Sequence, residues 1–214
     1  MRSERQWRGT FMRTVLPPLF FVINAVVTPT VSRGAEDDRG SAPFGLQWGM
    51  SSSEVRALGA ELKDVRFKEY GASFSAAKLP KIIADVETVV LSFGYNDSLW
   101  RISAASKKFE NDPYGYRVRA RYDELANVLS EKYGRGESRE HLSNGMFSKP
   151  DDFLMSIHTG NSSVYTDYRT NSLDVQLAIG ASDFSTSFYK LIFENKALRS
   201  EFEKGKKTHE KNAL

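Results

Sequence analysis

The hydrophobic period of this chain switches from two to 3.6 and back again, and that switch constrains its fold more than any other feature. Residues Asp85 to Phe93 (DVETVVLSF) are rich in β-branched side chains in period-two order. Gly94 to Ser98 is a turn cluster, and Leu99 to Ala104 resumes the alternation. The pattern predicts a β-hairpin over 85–106. After Asp112-Pro113, the apolar residues Val118, Tyr122, Leu125, Leu129 and Tyr133 recur every three or four positions. That is one face of a helix over 116–133, with Lys132 in its last turn and Gly134 as its stop. A lone helix of this length is marginal in water, so its stripe must cover a sheet. The run Leu173-x-Val175-x-Leu177-x-Ile179 alternates strictly, one face buried and one wet, which is the antiparallel habit.

The flanking segments fill in the order. Phe44 to Gly49 reads as a short strand. Ser51 and Glu54 then stand three apart as a capping box, with Met50 and Val55 as a hydrophobic staple and Gly59 as the helix end. Residues 62–76, with Leu62, Val65, Phe67 and Phe74, read as one or two strands. Residues 137–147 read as strand or loop. Lys149-Pro150-Asp151-Asp152, followed by Phe153, Leu154 and Ile157, suits a short helix. Further strands are predicted over Ser163 to Tyr168 and Phe188 to Phe193. The expected class is therefore α+β: a mostly antiparallel sheet with helices packed on one face. No internal repeat stands above noise.

The N-terminus reads as an address. Arg2, Arg5, Arg8 and Arg13 precede an apolar run from Val15 to Val27, which is followed by small and polar residues. This is the layout of a secretory signal peptide, with cleavage expected between Ser32 and Ala35. The rival is a retained anchor. A membrane-spanning helix takes about 20 apolar residues, whereas this run has thirteen and is interrupted by Pro17, Pro18 and Asn24. The expected organisation is a signal peptide over 1–34, a flexible lead-in over 35–43, one α+β domain over 44–198 and a charged tail over 199–214. The protein is thus expected to be exported, most simply to a periplasm, with no stable membrane insertion after cleavage.

Removing the leader changes the charge argument. The chain holds 30 Lys and Arg against 27 Asp and Glu, but residues 1–34 contain five of those bases and one acid. The remainder has 25 bases and 26 acids, net −1. The basic character belongs to the leader, and nucleic-acid binding loses its main support.

Phe44-Gly45-Leu46-x-Trp48-Gly49-Met50-Ser51-x-x-Glu54-Val55 resembles the opening of a loose group of small exported bacterial proteins of unassigned function. In that group a WGMS-x-x-EV helix start precedes a strand hairpin and a helix ending in YG. Leu91 to Ile102, Leu125 to Gly134 and Leu191 to Leu198 are similar to the later parts, although Arg135-Gly136 stands where the group has proline. More distantly, the layout is similar to small lipoproteins of outer-membrane assembly and to β-lactamase-inhibitor-like modules. The resemblance implies a Gram-negative envelope and a binding or scaffolding role.

The residues themselves point to little chemistry. There is no cysteine, which removes disulfides, thiolate metal sites, thiol nucleophiles and a lipidated cysteine. His158 lies seven residues after Asp151, two helical turns apart, and lacks metal-ligand spacing. Gly160-Asn161-Ser162-Ser163-Val164 departs from a nucleophile elbow at its last position and leads into a strand. Asp85 and Glu87 alternate onto one strand face and are the candidate carboxylate pair. No cofactor is implied. The unusual allotment is aromatic, with 14 Phe and 9 Tyr. Tyr114, Tyr116, Arg117 and Arg119 cluster at the start of the long helix and form the candidate partner surface, since Tyr and Arg are enriched at interface hot spots. Tyr122 and Tyr133 belong to the core stripe. The expected function is a non-enzymatic exported module that binds a protein or envelope component. The alternative is a small-ligand carrier or a hydrolase, which calls for an apolar pocket between the long helix and the sheet with an acid of raised pKa inside it.

Overall fold

The computed structural model describes residues 40–65, 69–144 and 147–213. The expected signal peptide, the lead-in up to residue 39, and Phe67 lie outside these residues.

Eight antiparallel strands form one sheet: β1 (Glu61–Asp64), β2 (Ala72–Ala77), β3 (Val86–Phe93), β4 (Leu99–Ser106), β5 (Glu137–His141), β6 (Ser163–Arg169), β7 (Leu173–Ala181) and β8 (Ser187–Asn195). Their order across the sheet is β1-β2-β3-β4-β8-β7-β6-β5. Four helices accompany them: α1 (Ser52–Ala57), α2 (Tyr116–Tyr133), α3 (Phe153–His158) and α4 (Lys196–Ala213). The fold is α+β, and the 85–106 hairpin, the long helix and the three C-terminal strands stand where the hydrophobic periods placed them.

The topology has an order that the residue pattern conceals. A helix followed by a four-stranded meander occurs twice, α1 with β1 to β4 and α2 with β5 to β8, and the two last strands pair at the centre of the sheet. Between the halves, α2 carries the chain from central β4 across one face to the far edge at β5. Its stripe of Val118, Tyr122, Leu125 and Leu129 is buried against inward-facing Val175, Leu177, Leu191 and Phe193. Leu154 of α3 and Val55 of α1 join the same core.

Local chemistry explains the elements. At α1 the Ser51 hydroxyl accepts from the Glu54 N–H and the Glu54 carboxylate accepts from the Ser51 N–H, so two orphan donors are satisfied. At α2, Asp112 takes the N–H groups of Tyr116 and Arg117 at 3.0 and 2.8 Å, placing a carboxylate on the positive end of the helix.

Two expectations change. Phe44 to Gly49 is not a strand: Pro43–Gly45 form a 3-10 turn with Phe44 and Gly45 both at positive φ, and only Gln47 bridges back, to Ser41. Phe44, Leu46 and Trp48 are nonetheless buried, so the alternation marked burial rather than strand pairing. The charged residues from 199 onward, expected to be helical only at first, continue α4, which runs unbroken through Ala213. Arg199 of α4 lies 3.0 Å from Asp174 and 2.8 Å from Glu194, two residues that alternate with core Val175 and Phe193. Helix α4 therefore meets the sheet face opposite to α2. It is anchored there by Phe202, stacked 4.8 Å from Trp100. Trp100 is free to face it because pairing slips between Ser92↔Arg101 and Phe93↔Leu99, which leaves Trp100 as the extra residue of a bulge.

Candidate binding cleft at the start of the long helix

Three of the four residues of the candidate surface converge on one cleft. The helix opens at Gly115, which has φ 69°, a conformation costly for a residue with a Cβ. A Cβ there would stand 2.7 Å from ring carbons of Phe153, so glycine also lets α3 close against the start of α2. Tyr114 and Tyr116 flank the glycine and stack on each other, centroids 5.4 Å apart and planes within 12°. They are 43% and 69% exposed. One turn on, the Arg119 guanidinium lies 4.0 Å over the Phe153 ring and 2.9 Å from the Glu140 carboxylate on β5. Leu142, Lys149 and Pro150 from the loops beyond β5 complete a cleft of about 260 Å³. Its lining is mainly apolar and aromatic, with Arg119 and Lys149 as the charged members.

Arg117 does not belong to it. Its guanidinium donates to the Glu110 carbonyl and its Nε stands 3.9 Å from Asp112. It braces the cap of α2. Tyr122 and Tyr133 are core residues: the Tyr122 hydroxyl is 2.6 Å from that of Thr166, and Tyr133 packs 6.4 Å from Phe193.

The other candidates are accounted for structurally. Asp85 and Glu87 are not a working pair, because the strand register slips between Val86 and Thr88 and leaves Glu87 exposed. Asp85 instead receives Arg121 Nε and Nη2 at 2.8 and 3.0 Å. Burial pushes its carboxyl up, but the Arg121 hydrogen bonds outweigh this and hold it below the usual range. The other displaced carboxylates also move down, Glu61 through a hydrogen bond from Lys78 and Asp183 through the backbone N–H of Ser185. The Ser162 hydroxyl is engaged by Ser156 at 2.6 Å and by the Ser143 N–H at 2.9 Å. His158 meets the Ala181 carbonyl through Nδ1 at 3.2 Å. Among the described residues no group of three His, Cys, Asp or Glu side chains is placed to hold a metal ion.

The outer face of the sheet holds a polar basin of about 380 Å³. Its acids are paired: Glu194 with Arg101 and Arg199, Asp174 with Lys196 and Arg199, and Asp167 with Gln176 and Arg169. A closed network of this kind is a solvated sheet face.

Sequence reasoning found Tyr114, Tyr116 and Arg119 but missed Phe153, Leu142 and Lys149, which come from segments about 30 residues further on. The apolar start of the short helix at Phe153 was the available sign. Compared with known proteins, the chain matches no family model, and no curated protein or solved structure gives a significant match.

Proposed function

We propose that this protein is an exported, non-enzymatic binding module that takes a protein or envelope component in the cleft framed by Tyr114, Tyr116 and Arg119. The observation that carries the reading is convergence: exposed stacked tyrosines, a guanidinium laid on an aromatic ring, and a concave apolar lining meet at one place. Rigid aromatic side chains give contact area at low entropic cost, and desolvated Arg and Tyr dominate interface energetics. The basic, apolar and small-residue stretches of the N-terminus support export to a periplasm. No described helix is long and apolar enough to cross a membrane. The net −1 charge of residues 35–214 argues against a nucleic-acid partner.

The test is native mass spectrometry of the protein purified gently from its own compartment. The wild type should carry a second species, a polypeptide or an envelope component, on a chain that begins between residues 33 and 35. Replacing Tyr116 and Arg119 by Ala should weaken that association by at least about 30-fold. The folded state should survive, since Tyr116 is exposed and the Arg119–Glu140 pair is worth about 1 kcal/mol or less. Equal capture by the double variant would remove the cleft from the account.

A further inference from the structure

A second concavity lies between α2 and the sheet, away from the tyrosine cleft. Its floor is core: Leu191 and Phe193 of β8, exposed by 1% and 4%. Its walls are Leu125 and Val128 of α2 on one side and Ile82 and Ile83 of the β2–β3 connection on the other, enclosing about 240 Å³. Val128 and Ile82 are 58% and 59% exposed, two large apolar side chains lining the same trough. Isolated exposed apolar residues are ordinary, but a contiguous set around a concavity marks a binding surface.

The charges decide the class of occupant. The residues that line the groove include two cations, Lys81 and Lys132, and no acid. Lys132 lies 5.1 Å from the Tyr133 ring, and neither lysine has a carboxylate within ion-pair distance among the described residues. Two ammonium groups beside an apolar trough with no acid in its lining fit a ligand that is anionic at one end and hydrocarbon along its length. At about 240 Å³ the trough is smaller than an ordinary drug-sized pocket, which suits a single chain. It also lacks the acid that a hydrolytic site in this position calls for.

We propose that this groove binds a single-chain anionic amphiphile of the fatty-acid kind. The acyl chain lies between Val128 and Ile82 over Leu191 and Phe193, and the carboxylate meets Lys81 and Lys132. The site is independent of the tyrosine cleft and stands or falls separately from it.

Isothermal titration of the mature chain with decanoate and laurate below their micellar concentrations, and with dodecanol below its solubility limit, tests the proposal. Laurate should bind, and decanoate should bind more weakly by about fourfold per methylene removed. Dodecanol should bind about tenfold more weakly than laurate, and the Lys81→Ala, Lys132→Ala double variant should abolish that difference. Val128→Lys, at an exposed position that tolerates charge, should remove binding of all three without moving the urea midpoint. Tyr116→Ala should bind laurate like the wild type. No laurate binding by the wild type overturns the proposal, as does laurate binding that Val128→Lys leaves intact. Association with phosphatidylglycerol vesicles without binding of monomeric laurate would assign the groove to a membrane surface instead and would equally overturn it.

Discussion

Asp85 and Arg121 join the start of β3 to the second turn of α2, and Tyr189 lies buried beside them with its hydroxyl close to the Asp85 carboxylate. Burial, and then the neighbouring Asp85, push the Tyr189 phenol up, so it stays neutral throughout the physiological range. Asp85 titrates the other way. Because its folded pKa lies below the unfolded one, its contribution is present in full above about pH 5 and is lost as pH falls through the folded pKa. With the side chain about 30% exposed, that contribution is about 1 kcal/mol. Asp85→Asn should therefore lower stability by about that amount at pH 7, and the gap to wild type should close by about pH 2 in urea titrations. A gap that persists at low pH would mean the loss came from packing rather than charge. The sequence offered Asp85 and Glu87 as partners on the strength of alternation alone. The slip that separates them has no glycine to announce it, so only the pairing with β4 exposes it.

At the scale of elements, helices with local signals were legible, and of the helix held by a distant contact only the start was. The cap of α1 is written in Ser51 and Glu54, three residues apart in one turn, and the stripe of α2 in five apolar positions. Helix α4 has few apolar residues, with Leu198 and Phe202 one turn apart, and its first turn is tied by Lys196 and Arg199 to Asp174. Its anchor, Trp100, became available only through a bulge a hundred residues earlier. Tyr95 adds a second ring 5.7 Å from Phe202. This small aromatic stack stands apart from the main core, so α4 should open on its own. Phe202→Ala should release it: brief trypsin treatment should cut after Lys204, Lys206 or Lys207 at least tenfold faster than in wild type, while the remaining domain stays intact. Unchanged cleavage would show that the ion pairs alone hold the helix.

Across the whole molecule, two helix-plus-meander halves meet at β4 and β8, yet no sequence repeat betrays them. Topology of this kind depends on hydrophobic period and turn placement, which many unrelated residue choices satisfy equally. The same logic explains how the cleft could be half read. Tyr114, Tyr116 and Arg119 fall within six consecutive residues around the start of α2, so the local sequence reveals them. Phe153 and Lys149 arrive only because α2 returns the chain to the far edge and Gly115 admits the ring. The groove under Val128 and Ile82 was legible only as the apolar pocket between long helix and sheet that the small-ligand alternative calls for, without its lining, since its opposing wall belongs to a loop before β3.

The most direct measurement is site-specific photocrosslinking in the cells that make the protein, with a photoreactive residue placed at position 116 and, as control, at Lys63. Lys63 is exposed on edge strand β1, at the opposite end of the eight-stranded sheet from β5 and the cleft. The account predicts one discrete adduct from position 116, lost when Arg119 is also replaced by Ala, and none from position 63. Adducts of equal yield from both positions, or none from 116 under conditions where the protein is folded and exported, would contradict it.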